Sequence, residues 1–212
     1  LSAKGLKKSK DIMAMEGYLK QLTIEQQQVP QSRIDLLGDD KFYITIMGNP
    51  SETEPWGWQL DGHHLVLNYF ILGDQVVMTP TFMGSEPNYI AVGPNEGIRT
   101  FKEEEEKGLT FYRSLNAEQR ERATLWDKKE YQFNQAEAFK DNQVIPFKGI
   151  KSADLSSNQI GLLTTLIEEY VGNMKPGHAK VKMNEIEKHI DNTWFSWVGG
   201  SSDEDVFYYR IH

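Results

Sequence analysis

The segment Trp56-Gly57-Trp58-Gln59-Leu60-Asp61-Gly62-His63-His64-Leu65-Val66-Leu67-Asn68-Tyr69 places Asp-Gly between two runs in which apolar and polar residues alternate. Alternation with a period of two marks a strand. Asp-Gly between two such runs predicts a two-residue hairpin loop, because both central positions of a type I′ turn take positive φ. Counting outward from Asp61-Gly62 pairs Leu60 with His63, Gln59 with His64, Trp58 with Leu65 and Trp56 with Leu67. Gly73-Asp74 is a second turn of this kind and pairs Leu72 with Gln75, Phe70 with Val77, Asn68 with Thr79 and Val66 with Thr81. Together the turns predict a three-stranded antiparallel meander over residues 56–81.

Side chains on this meander sort into two faces. Trp56, Trp58, Leu60, His63, Leu65, Leu67, Tyr69, Ile71, Val76 and Met78 form a core face with a histidine at its margin. Gln59, His64, Val66, Asn68, Thr79 and Thr81 lie on the other, with Phe70 and Val77 further along. Polar groups gathered at one end of such a sheet must be solvated or hydrogen-bonded, as they are in a binding site. His64 and Asn68 are its expected centre, with Gln59, Thr79 and Thr81 as substrate contacts. Neighbouring histidines on a regular strand point to opposite faces, so His63 and His64 ligate one ion together only where a bulge breaks the phase. His63, beside Leu60 and Leu65, reads as a hydrogen-bonded histidine at the core edge that supports stability, and His64 as one kept for function.

Elsewhere the periodicity is helical or broken. Lys4, Lys7, Lys8 and Lys10 open a basic segment in which Ile12, Met15, Leu19 and Leu22 recur at helical spacing. Lys41–Met47 reads as a strand with both faces partly covered. Glu103 to Glu106 fall near a helix start, where the macrodipole favours negative charge, and read as a solvated face. Asn116 with Gln119, and Ser156 with Gln159, have the spacing of capping boxes. The second opens the strongest helix, Ser156–Met174, whose apolar face is Ile160, Leu163, Ile167, Tyr170, Val171 and Met174. Residues 126–151 show no clean period. A helix from Pro176 to about Ile190 and two strands, 193–198 and 206–211, close the chain. Tyr208, Arg210 and His212 share a phase on the last strand, and if it adjoins the meander Arg210 supplies an anion-binding fork. The expected fold is one α+β domain over 1–212, in which an antiparallel sheet (the meander 56–81 and a C-terminal hairpin 193–211) packs with amphipathic helices.

Composition removes whole classes of function. The 212 residues hold no cysteine, which excludes disulfides, thiolate ligands, iron–sulfur clusters and cysteine nucleophiles. A net charge of −8, with no basic stripe interleaved with aromatics, argues against a nucleic-acid partner. No apolar run approaches a membrane span, and the chain is expected to be soluble. Glycine-rich phosphate loops, Gly-x-Ser-x-Gly elbows and His-Glu-x-x-His motifs are missing from the sequence.

The strings Trp56-Gly57-Trp58, Gly62-His63-His64-Leu65 with Leu67-Asn68, Thr79-Pro80 with Phe82, Gly84 and Pro87, and Tyr208-Tyr209-Arg210 resemble the family known as domain of unknown function 3500. The resemblance runs along the whole chain. Val66 stands where that family usually has serine, and Met83 where it has an aromatic. It implies a longer parent protein, often exported, and so a secreted or periplasmic location, with a His-x-His segment beyond the Tyr-Tyr-Arg strand. It implies no particular reaction.

Two functions fit these observations. In the first the protein is a metal-dependent enzyme in which His64, helped by His63, holds a divalent ion, Asn68 orients the substrate, and Arg210 binds an anionic group. In the second it is a non-catalytic module that binds a carbohydrate or peptide on Trp56 and Trp58. Either way the partner is a small molecule or a polymer.

Overall fold

Helix α1 (Ala3–Glu25) starts where the Ser2 hydroxyl accepts a hydrogen bond from the Gly5 amide. Gly5, Ser9, Ile12, Met15, Glu16 and Thr23 are its buried residues, a stripe at helical spacing that turns inward. The computed structural model describes residues 1–26, 29–131, 133 and 143–212. Two compact units divide them: residues 1–102 with 172–178, and residues 103–171 with 179–212. The secondary structure is α+β, as expected.

In the first unit a short helix α2 (Gln31–Ile34) leads to strands β1 (Tyr43–Met47), β2 (Trp56–Asp61), β3 (Leu65–Leu72), β4 (Gln75–Val77) and β5 (Thr81–Met83). They form one antiparallel sheet in the order β1-β2-β3, with both β4 and β5 pairing with β3. Ile12, Leu65 and Leu67 are its fully buried core, and Phe42, Trp58, Leu60, Met83 and Phe101 pack around them. Residues 172–178 are tied to the start of α1: the Ser2 amide donates to the Asn173 carbonyl at 2.9 Å and the Ser2 hydroxyl to the Gly172 carbonyl at 2.7 Å. A Cβ on Gly5 would stand 2.4 Å from that Asn173 carbonyl, so a residue without a side chain is required there.

The meander exists, with its first register corrected. Trp58 pairs with Tyr69 and not Leu65, Leu60 with Leu67, and Asp61 with Val66. The connection is therefore the four residues Gly62 to Leu65. Because the displacement is four residues, an even number, β2 and β3 keep their faces, and Trp58 stacks on Tyr69 with ring centroids 4.3 Å apart. The Gly73-Asp74 turn forms as expected, pairing Leu72 with Gln75 and Phe70 with Val77. Beyond it one extra residue enters before β5, so Val66 meets Phe82 and Thr81 meets Leu67. That odd shift moves Thr81 to the opposite face. Strand β1, expected to be partly covered on both faces, is exposed at all five positions, with Tyr43 at 65% and Ile44 at 71%.

The second unit contains most of α3 (Lys102–Ser114), α4 (Ala117–Ala123), β6 (Thr124–Trp126), β7 (Ile150–Lys151), α5 (Ser157–Val171), most of α6 (Pro176–Lys188), β8 (Trp194–Gly199) and β9 (Phe207–Ile211). Both capping boxes form: Asn116 and Gln119 bond reciprocally, as do Ser156 and Gln159. Strand β8 is central, antiparallel to β7 and β9 and parallel to β6. Trp197, Phe195, Phe111, Leu163 and Leu166 are buried between sheet and helices, with Trp197 stacked on Tyr112 at 4.2 Å. Between β6 and β7 the described residues hold no regular element; residues 132 and 134–142 of the expected irregular stretch lie outside those described. Glu104, expected on a solvated face, is 5% exposed, because α3 turns it toward α5 and β9, where the Tyr209 hydroxyl donates to its main-chain carbonyl.

Buried phenols set an alkaline limit. Burial pushes the Tyr69 hydroxyl, which donates to Met78 Sδ, from 10.0 up to about 12, and burial likewise raises Tyr209. The neutral phenol is favoured in the folded chain, so this stabilisation is intact below pH 10 and is lost as pH rises toward 12. Urea midpoints should fall steadily across that window, with tyrosinate absorbance and loss of helical circular dichroism appearing together. A midpoint that stays level through the window would show that the phenols ionise in place.

Candidate functional site

Glu16 is a carboxylate on the buried stripe of α1, 2% exposed. A carboxylate removed from water needs donors aimed at it, and here two imidazoles supply them. His64 Nδ1 lies in close hydrogen-bonding contact with Glu16 Oε1, and His63 Nδ1 stands 3.3 Å from Oε2. The two rings are 4.0 Å apart between centroids and tilted by 38°. Glu16, His63 and His64 each present a ligand atom within 4.8 Å of the others, close enough for a single ion.

The longer hairpin connection makes this arrangement possible. On a regular strand the two histidines would point apart, but inside the Gly62–Leu65 loop alternation no longer applies and both turn toward α1. Two contacts hold the loop. The Gly84 amide donates to the His64 carbonyl at 2.8 Å, and a Cβ on Gly84 would meet His64 Cδ2 at 3.3 Å and Phe82 Cζ at 3.0 Å. The Phe42 ring covers Gly62 so closely that a Cβ there would lie 2.3 Å from it. Of the two rings, the one expected at the core edge is the more exposed. The His63 side chain is 48% exposed and the His64 side chain 13%.

The other expected site residues disperse. Gln59 pairs with Asn68 across β2 and β3, and its amide donates to Asp61 Oδ1 at 2.9 Å. Asn68 Nδ2 donates to the Pro80 carbonyl at 2.7 Å, so it braces the link between β4 and β5. The Thr81 hydroxyl donates to the Met78 carbonyl at 2.8 Å, and Thr79 is exposed in the same link. Arg210 belongs to the second unit, where β9 pairs with β8 in a separate sheet from the meander, and Arg210 Nε donates to the Tyr208 hydroxyl at 3.2 Å. Trp56 is held through Nε1, which donates to the Ser51 carbonyl at 2.9 Å.

The family model described as "Protein of unknown function (DUF3500)" matches residues 1–212, the whole chain. The chain belongs to the DUF3500 family. No curated protein and no solved structure matches it. Within this DUF3500 chain a second acidic group, Glu103, Glu104 and Glu169, lies in the second unit, where Lys107 pairs with Glu169. Among the described residues no helix is long and apolar enough to cross a membrane.

Sequence reasoning passed over Glu16. Its signal was present: Ile12, Met15 and Leu19 mark an apolar stripe, and Glu16 falls one turn after Ile12 on it. Removing the acceptor should matter more than removing the exposed donor. Glu16→Ala is expected to lower the unfolding free energy by about 1–3 kcal/mol, and His63→Ala by less than about 1 kcal/mol. Urea denaturation of both variants measures this, and equal losses would mean that the carboxylate does not organise the loop.

Proposed function

We propose that this protein is a metal-dependent enzyme whose divalent ion is held by Glu16, His63 and His64. The observation that carries the reading is the convergence of two imidazoles from one loop on a buried carboxylate from a helix. Mixed nitrogen and oxygen donors of this type suit zinc and neighbouring first-row ions. An ion held by three side chains keeps a position for water or a substrate oxygen and supplies Lewis-acid chemistry there. Glu16 holds both imidazoles in place before the ion arrives, and the protons shared between Nδ1 of each ring and the carboxylate would leave as the ion enters between them. His63, the exposed member, borders the side from which a substrate approaches. Asn68 supports the site indirectly by holding the Pro80 link, and Arg210 is assigned no step.

Metal analysis of protein purified without chelator should find about one divalent ion per chain, absent from His64→Ala and Glu16→Gln. Stripped protein should gain stability when zinc or manganese is added, by about 2.7 kcal/mol at a hundredfold excess over Kd. A metal-free preparation whose melting temperature ignores both ions would sink the proposal.

A further inference from the structure

At the turn end of the same sheet the first unit contains a cavity of about 420 Å³. Its apolar wall is made by Trp58, Tyr69 and Val76, and its polar rim by Asp74, Lys175 and His178. The register explains the wall. Trp58 and Tyr69 are cross-strand partners stacked within 10° of parallel, and Val76, opposite Ile71, continues the same face onto β4. Asp74 comes from the β3–β4 turn, while Lys175 and His178 come from the segment that Ser2 ties down through Gly172 and Asn173. The side chains of Asp74, Lys175 and His178 make no hydrogen bond or ion pair with any other described residue. Three ionisable groups of both signs therefore surround an aromatic wall with their hydrogen-bonding capacity open.

We infer that this cavity binds a pyranose ring of a saccharide. The size lies within the ordinary range of small-ligand pockets. A simple anion offers no donor to Asp74, and a simple cation no acceptor to Lys175. An aliphatic ligand would strip water from all three rim groups without replacing its hydrogen bonds. A neutral polyol has both donors and acceptors: Asp74 accepts from its hydroxyls, and Lys175 and His178 donate to them. The CH-rich face of the ring then lies against the wall that Trp58, Tyr69 and Val76 make together. None of the three proposed metal ligands lines this cavity, so the inference does not rest on the metal centre.

The test is titration of the intact chain with maltotriose, cellotriose, xylotriose and chitotriose, followed by tryptophan fluorescence and calorimetry. Saturable binding of at least one, with a Kd below about 1 mM, is expected. The Asp74→Asn/Lys175→Gln variant should weaken it by about tenfold or more at an unchanged melting temperature. Trp58→Ala should abolish it; the rim variant keeps the test decisive if that protein folds poorly. Absence of saturable binding to all four probes, or equal affinity in the rim variant, would overturn the assignment.

Discussion

Burial of the Glu16 carboxylate is the constraint around which the first unit is arranged. An unpaired carboxylate on an inward helix stripe is untenable, since the solvation it gives up exceeds what packing returns. His64 and His63 must therefore reach α1, and they reach it only if the β2–β3 connection is long enough to turn both rings the same way. Gly62 and Gly84 are the steric conditions for that loop, one under Phe42 and one against His64. Helix, hairpin register and two glycines thus answer to one charge.

The same logic explains why the loop departs from its local turn preference. Asp-Gly favours a two-residue connection by a modest backbone energy. Two hydrogen bonds to a buried carboxylate and one from Gly84 outweigh it. The displaced register leaves the apolar pairing undisturbed because it is even, so Leu65 and Leu67 still meet α1 and Trp58 still faces inward.

What could be read from residues alone follows the range of the interactions. The longer helices, both capping boxes and the Gly73-Asp74 turn depend on neighbours within four residues and are legible, whereas the single-turn helix α2 carries no such signal. The Asp61-Gly62 loop, the extra residue before Thr81 and the burial of Glu104 depend on partners far along the chain, and each was misread. The candidate site divides in the same way. His63 and His64 stood out as a pair, but Glu16, separated from His64 by 48 positions, was visible only as a charge out of place on an apolar stripe. Asn68 and Arg210 stand out by strand phase, which says which side a residue faces and nothing about which strand lies beside it.

Strand β1 has a colloidal consequence. Tyr43-Ile44-Thr45-Ile46-Met47 forms the edge of its sheet with every side chain exposed, and it contains no charge, proline or bulge. Edges lacking those guards invite pairing with another strand. The charge of −8 carried by each chain opposes such pairing, through a repulsion that reaches about 10 Å at 0.1 M salt and shrinks to about 3 Å at 1 M. Added salt screens the repulsion and leaves the main-chain hydrogen bonds of the edge as strong as before, so raising the ionic strength favours edge-to-edge pairing.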